Sequence, residues 1–126
     1  MKIKIISGNF ESLAELKNTA TAKAIYEKLP IESTANTWGH EVYFEIPVSL
    51  KAEEDAKETV EKGDIAYWPQ GRCFCIFFGK TPASEDEKPK AASKVNVFGK
   101  ITGNFNIFRK INDGDKIAVE KAIGRD

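Results

Sequence analysis

Two thiols, Cys73 and Cys75, flank a single phenylalanine in the run Arg72, Cys73, Phe74, Cys75, Ile76. Neighbouring thiols can act as a redox couple or as a nucleophile, chemistry that needs a thiolate and so a cationic neighbour. Arg72 is the one basic neighbour here, the spacing is not Cys-x-x-Cys, and alternate residues of a strand point one way at a separation poorly suited to a disulfide. The pair reads as reduced, packed thiols. Glu41, Tyr43 and Glu45 form a second set on one face of a strand, where a carboxylate pair does acid/base work if one member is desolvated; a solvated strand face explains them as well. His40 is the only histidine, so no metal site or Ser/His arrangement can be built around a second one, and neither a metal nor a cofactor is expected.

These residues sit among short alternating segments. Residues 2–7 and 10–16 read as a hairpin about Gly8 and Asn9. Residues 19–29 change to helical period, with Ala22, Ile25 and Leu29 on one face, Asn18 or Thr19 as cap and Pro30 as terminator. Residues 31–37 make a short strand. Residues 40–46 alternate, with Val42, Phe44 and Ile46 opposite Glu41, Tyr43 and Glu45, after a Gly39–His40 turn. The charged stretch 51–62 reads as a solvated connection. Residues 64–68 and 72–78 pair about Trp68, Pro69, Gln70 and Gly71, a type I turn by its proline and glycine. A polar loop, 80–92, leads to a strand at 95–101, a short helix at 104–111 and a last strand at 116–122.

A chain of 126 residues, with 41% hydrophobic residues, suits one domain with one core. Nineteen basic residues balance nineteen acidic ones, and no segment stacks cations on one face, so nucleic acid is not an expected partner. The longest apolar run, 73–78, is too short to cross a bilayer, and together with reduced thiols this points to the cytoplasm.

Four further stretches carry a resemblance: Asn36, Thr37, Trp38, Gly39; Gly63, Asp64, Ile65, Ala66, Tyr67, Trp68, Pro69; Phe77, Phe78, Gly79, Lys80, Thr81, Pro82; and Val95, Asn96, Val97, Phe98, Gly99. Together they resemble a family of small prokaryotic cyclophilin-like proteins, and Val97, Phe98, Gly99, Lys100, Ile101 is similar to the C-terminal end of cyclophilins themselves. The resemblance implies a mainly β fold, a closed eight-stranded antiparallel barrel with two capping helices, filling residues 1–126. It does not bring the prolyl isomerase site with it. The arginine that cyclophilins use falls at Ala35, between Thr34 and Asn36; their central-strand Gln and Phe fall near Cys73 and Cys75; and the segment 90–94 offers neither Trp nor His. Without a cationic donor the main term that lowers the barrier to prolyl rotation, roughly 20 kcal/mol, is gone.

Strand alternation places Ile65, Tyr67, Phe74, Ile76 and Phe78 inward and Asp64, Ala66, Trp68, Cys73, Cys75 and Phe77 outward. The outward set that would line the former substrate groove is Trp38, Glu41, Tyr43, Trp68 and Cys75. Aromatic walls with a carboxylate suit a small molecule or a short peptide, which makes a non-enzymatic binding module the first reading and a divergent prolyl isomerase the alternative. The competing account of the same patch is that the 80–92 loop or a second subunit covers it.

Overall fold

Gly8 and Asn9 join the first two strands, β1 (Lys2–Ser7) and β2 (Phe10–Leu16), as a hairpin in which Ser7 faces Phe10. The computed structural model describes residues 1–122. Helix α1 (Ala20–Lys28) starts where the Thr19 side chain accepts from the Ala22 N–H at 3.1 Å, and it buries Thr21, Ala22 and Ile25. The chain continues through β3 (Ile31–Thr34), β4 (Asn36–Thr37), β5 (Glu41–Glu45), β6 (Lys57–Thr59), β7 (Asp64–Trp68), β8 (Cys73–Phe77) and β9 (Lys90–Ile101). The short segment predicted as a helix at 104–111 is a 3-10 helix, Phe105–Lys110, and β10 (Lys116–Lys121) ends the described fold.

The strands are antiparallel and form a ten-stranded sheet in the order β3-β10-β1-β2-β9-β7-β8-β5-β4, with β6 added to β9 off this path. This corrects the expected closed, eight-stranded barrel: the sheet has ten strands and is not closed. The reason lies at Ala35, the single residue between β3 at one edge and β4 at the other. Its N–H donates to the Asp115 carbonyl at 2.8 Å and its carbonyl accepts from the Gly114 N–H at 2.9 Å, so the chain crosses the seam without pairing along it. The seam is held instead by a side chain, Ser33 Oγ donating to the Glu45 carbonyl at 2.8 Å.

The concave face encloses the main core, with Val42, Phe44, Ile65, Tyr67, Phe74, Ile76 and Phe78 inside as alternation predicted, together with Ile25 of α1 and Phe108 of the 3-10 helix. Phe74 stacks on Phe44 at 4.9 Å between ring centres and meets Phe98 edge-on at 5.2 Å. Polar groups inside are satisfied: the Tyr67 hydroxyl donates to the Val48 carbonyl at 2.6 Å, and the Asn96 amide donates to Thr21 Oγ1 at 3.1 Å and to the Lys51 carbonyl at 3.0 Å.

Two loop readings also change. The stretch 51–62 is not only a solvated connection, because it contains β6 and buries Val60. Strand β9 begins at Lys90, inside the expected 80–92 loop, and pairs first with β6 and then with β7 and β2, with register shifts between Lys57 and Thr59 and between Ile65 and Ala66.

Phe74→Ala removes the central ring of the stack and is expected to cost about 3–5 kcal/mol in urea unfolding, whereas Leu13→Ala, at an exposed position, is expected to stay within about 0.5 kcal/mol. Equal effects at the two positions would contradict this placement of the core.

Candidate functional site

On the convex face of β5, β8 and β7 the side chains run in rows set by the register. Tyr43 lies beside Cys75 and Cys75 beside Ala66; Glu41 lies beside Phe77; Glu45 beside Cys73, and Cys73 beside Trp68. The outward assignment of these residues is correct, but the face is not open to solvent. Val60, Ala91 and Val95 pack over Ala66, Cys73, Cys75 and Phe77 as a second, smaller apolar cluster, with Tyr43, Trp68 and Val97 at its margin. Odd-numbered residues of β9 build this cover: Ala91, Val95 and Val97 point down onto the sheet, and Ser93 between them accepts the Trp68 indole N–H at 2.6 Å.

Where the cover stops, a cavity of about 250 Å³ remains, lined by Trp38, Glu41, Tyr43, Trp68 and Cys75 together with Ala91, Ala92 and Val95. All five residues singled out in the sequence meet in this one place. Ala91 and Ala92 were missed because 80–92 was read as loop, and Val95, read as the first residue of a strand, was not placed over this face.

Each wall is positioned by its own local device. Trp38 and Glu41 close a two-residue hairpin loop, exchanging N–H to carbonyl bonds at 2.9 and 3.2 Å. Gly39, at its first central position, has φ +61°, and a β-carbon there would sit 2.9 Å from the Lys80 carbonyl oxygen, so the loop docks on residues 80–82 only as glycine. Trp68 lies flat against Gly71, where a β-carbon would come within 2.5 Å of Cζ3. The turn hydrogen bond runs from the Arg72 N–H to the Pro69 carbonyl, one residue later than the predicted Trp68–Gly71 turn, with Arg72 in the left-handed region at φ +53°.

Glu41 is 6% exposed, which rules out the solvated strand face considered for it. Burial pushes its carboxyl from 4.5 up to about 7, with the Cys75 thiol beside it as a partly offsetting donor. Burial likewise pushes the Cys73 thiol up to about 11 and the Cys75 thiol well above its ordinary value, the latter with Glu41 acting in the same direction. Both cysteines are free and stay protonated near neutral pH, so neither supplies a ready thiolate. Glu45 is separated from Glu41: it is exposed and pairs with Arg72 at 2.9 Å. Asp64, expected outward, is buried; its carboxylate accepts from the Glu61 N–H at 2.9 Å and meets Lys100 at 3.6 Å. His40 lies outside the cavity, stacked on Phe78. Among the described residues no three His, Cys, Asp or Glu side chains gather as metal ligands, and no helix is long and apolar enough to cross a membrane.

A glutamate whose folded-state pKa exceeds its unfolded one favours folding while protonated, and that contribution is lost as pH rises from 4.5 to about 7. Glu41→Gln removes the titration. Relative to the native protein the variant is therefore expected to gain about 3 kcal/mol of unfolding free energy between about pH 4 and about pH 8. A constant difference across that range would show that Glu41 is not buried as described.

A family model described as cyclophilin-like matches residues 1–120. No curated protein matches the chain. Among solved structures, a hypothetical protein of Archaeoglobus fulgidus, determined in solution, is 42% identical over 97% of this chain and 95% of its own, with a TM-score of 0.82. McbB, determined in complex with tryptophan, is similar in fold at TM-score 0.69 but 13% identical, and this chain spans 46% of its length. On the match over residues 1–120, the chain belongs to the cyclophilin-like family.

Proposed function

We propose that the protein is a binding module that holds a small molecule, or the end of a short peptide, in the cavity between Trp38, Tyr43 and Trp68. The observation that carries this reading is the buried Glu41 carboxyl in the wall of an otherwise apolar cavity. A carboxyl kept under cover costs stability, and a ligand that donates to it offsets that cost. At about 250 Å³ the space suits one flat ring with an amide more than a drug-sized compound, since larger pockets run to roughly 300–1,000 Å³. Trp68 contributes only its ring face, because Ser93 already takes its N–H.

The isomerase alternative gains nothing from this geometry. Ala35, where the family resemblance puts the catalytic arginine, is fully buried in the main core and bonded through its backbone to residues 114 and 115. The purified protein is accordingly expected to leave the cis/trans exchange of a Xaa-Pro peptide at its uncatalysed rate; a saturable acceleration would restore the enzymatic reading.

Trp38 and Trp68 are the only tryptophans, and both line the cavity, so intrinsic fluorescence reports its occupancy directly. Benzamide, a flat ring carrying amide donors, is the probe. Saturable change in tryptophan emission is expected for the native protein and its loss for Ala92→Phe, which adds a ring to a residue lining the cavity and leaves the main core untouched. No saturable response, or an unchanged response in Ala92→Phe, would overturn the proposal. The outward Trp68 packs against the second cluster, so its truncation is a poorer test than filling the space.

A further inference from the structure

On the other side of the Gly39–His40 turn lies a second cavity, of about 370 Å³, whose lining includes Lys62, Lys80, Arg109, His40, Glu87 and Phe105. Its cations come from three separate parts of the chain: Lys62 precedes β7, Lys80 follows β8, and Arg109 sits in the last turn of the 3-10 helix. Convergence of like charges is unfavourable in the empty protein, and the protein as a whole carries no net charge that would make it a matter of composition.

The arginine is held without being neutralised. Its Nη1 donates to His40 Nε2 at 3.3 Å, and its Nε points to Asn106 Oδ1 at 3.5 Å, two acceptors that bear no negative charge. The imidazole is itself fixed: it stacks on Phe78 at 5.4 Å between ring centres, and it fills the space above Gly79, where a β-carbon would meet its Nδ1 at 2.6 Å. Among the described residues neither Lys62 nor Arg109 pairs with a carboxylate. The one acid in the lining, Glu87, is 81% exposed and reaches Lys80 only at 4.0 Å, a pair of little strength in solvent.

We infer that this cavity is an anion site for a small molecule bearing a phosphate group. A guanidinium directed toward His40 and Asn106 presents its remaining N–H groups as a fork to two oxygens of a tetrahedral oxyanion, and two ammonium groups supply the additional charge that a singly charged carboxylate would leave unmatched. Phe105 gives the site an apolar wall, so the ligand carries an organic part beside its phosphate. This site shares none of its lining with the Glu41 cavity; the two are joined by the turn, in which Trp38 and Glu41 bracket Gly39 and His40.

Phenyl phosphate is the probe, titrated at constant ionic strength against sodium chloride while the ring signals of His40, the sole histidine, are followed by NMR. A saturable shift is expected for the native protein, weakened about tenfold in affinity by Arg109→Gln and by Lys62→Gln and unchanged by Lys28→Gln on α1. Binding is also expected to survive Ala92→Phe, which separates this site from the other cavity. A shift that follows ionic strength without saturating, native affinity retained in the Arg109→Gln and Lys62→Gln variants, or loss of the response in Ala92→Phe would each overturn the inference.

Discussion

Strand β9 pairs with three strands, with β2 and β7 along its C-terminal half and with β6 along its N-terminal half, and the rest of the structure depends on that division. Its C-terminal half completes the sheet beside β7 and sends Phe98 into the main core, while its N-terminal half leaves β7, takes β6 as partner and lays Ala91 and Val95 over the outer face. A sheet whose convex side carries Ala66, Cys75 and Phe77 has an apolar face that water penalises, at about 25 cal/mol for each Å² left exposed. Covering it with a strand from the same sheet gives this small protein a second cluster in addition to its interior core. The cover is anchored at its start, where the buried Thr81 hydroxyl donates to the Lys90 carbonyl and Val60 bonds to Pro89.

The cavity follows from where this cover runs out. Small residues at 91 and 92 cannot reach Tyr43 and Trp38, and the gap leaves a carboxyl that is shielded from bulk water without being replaced by packing. That explains why the same burial which raises Glu41 also silences the cysteines: in a low-dielectric site every neutral form gains, and thiols that might have been nucleophiles stay protonated. The geometry thus favours recognition by shape and one hydrogen bond over covalent chemistry. The cationic cavity beyond His40 differs in kind, gathering basic side chains at the surface where solvent screens them.

Much of this was legible in the sequence, and its gaps have physical causes. Strict alternation in 40–46, 64–68 and 72–78 told inside from outside, because a strand's faces are set by parity alone. Glu41, Tyr43, Trp68 and Cys75 followed from that parity, whereas Trp38 lies before these segments, in a stretch that carries the family resemblance. What alternation does not carry is what lies above a face, so Glu41 and Asp64 were read at the surface although both are buried, Glu41 beside Ala91 and Val95 of β9 and Asp64 against Glu61 and Lys100. The charged residues of 51–62 hid β6, which carries no apolar side chain, and the prolines of 80–92 hid the start of β9. Closure of the sheet was beyond reach for a similar reason: whether two edges pair is decided by one residue, Ala35, whose backbone groups turn to 114 and 115.

The central claim, that Glu41 is a sheltered acceptor open to a ligand, is tested most directly by titrating its side-chain carboxyl carbon by NMR with and without benzamide. The account predicts a midpoint near 7 in the free protein and a lower one with the probe, because an amide donor favours the charged form. A midpoint at the ordinary value of 4.5, unmoved by the probe, would contradict it.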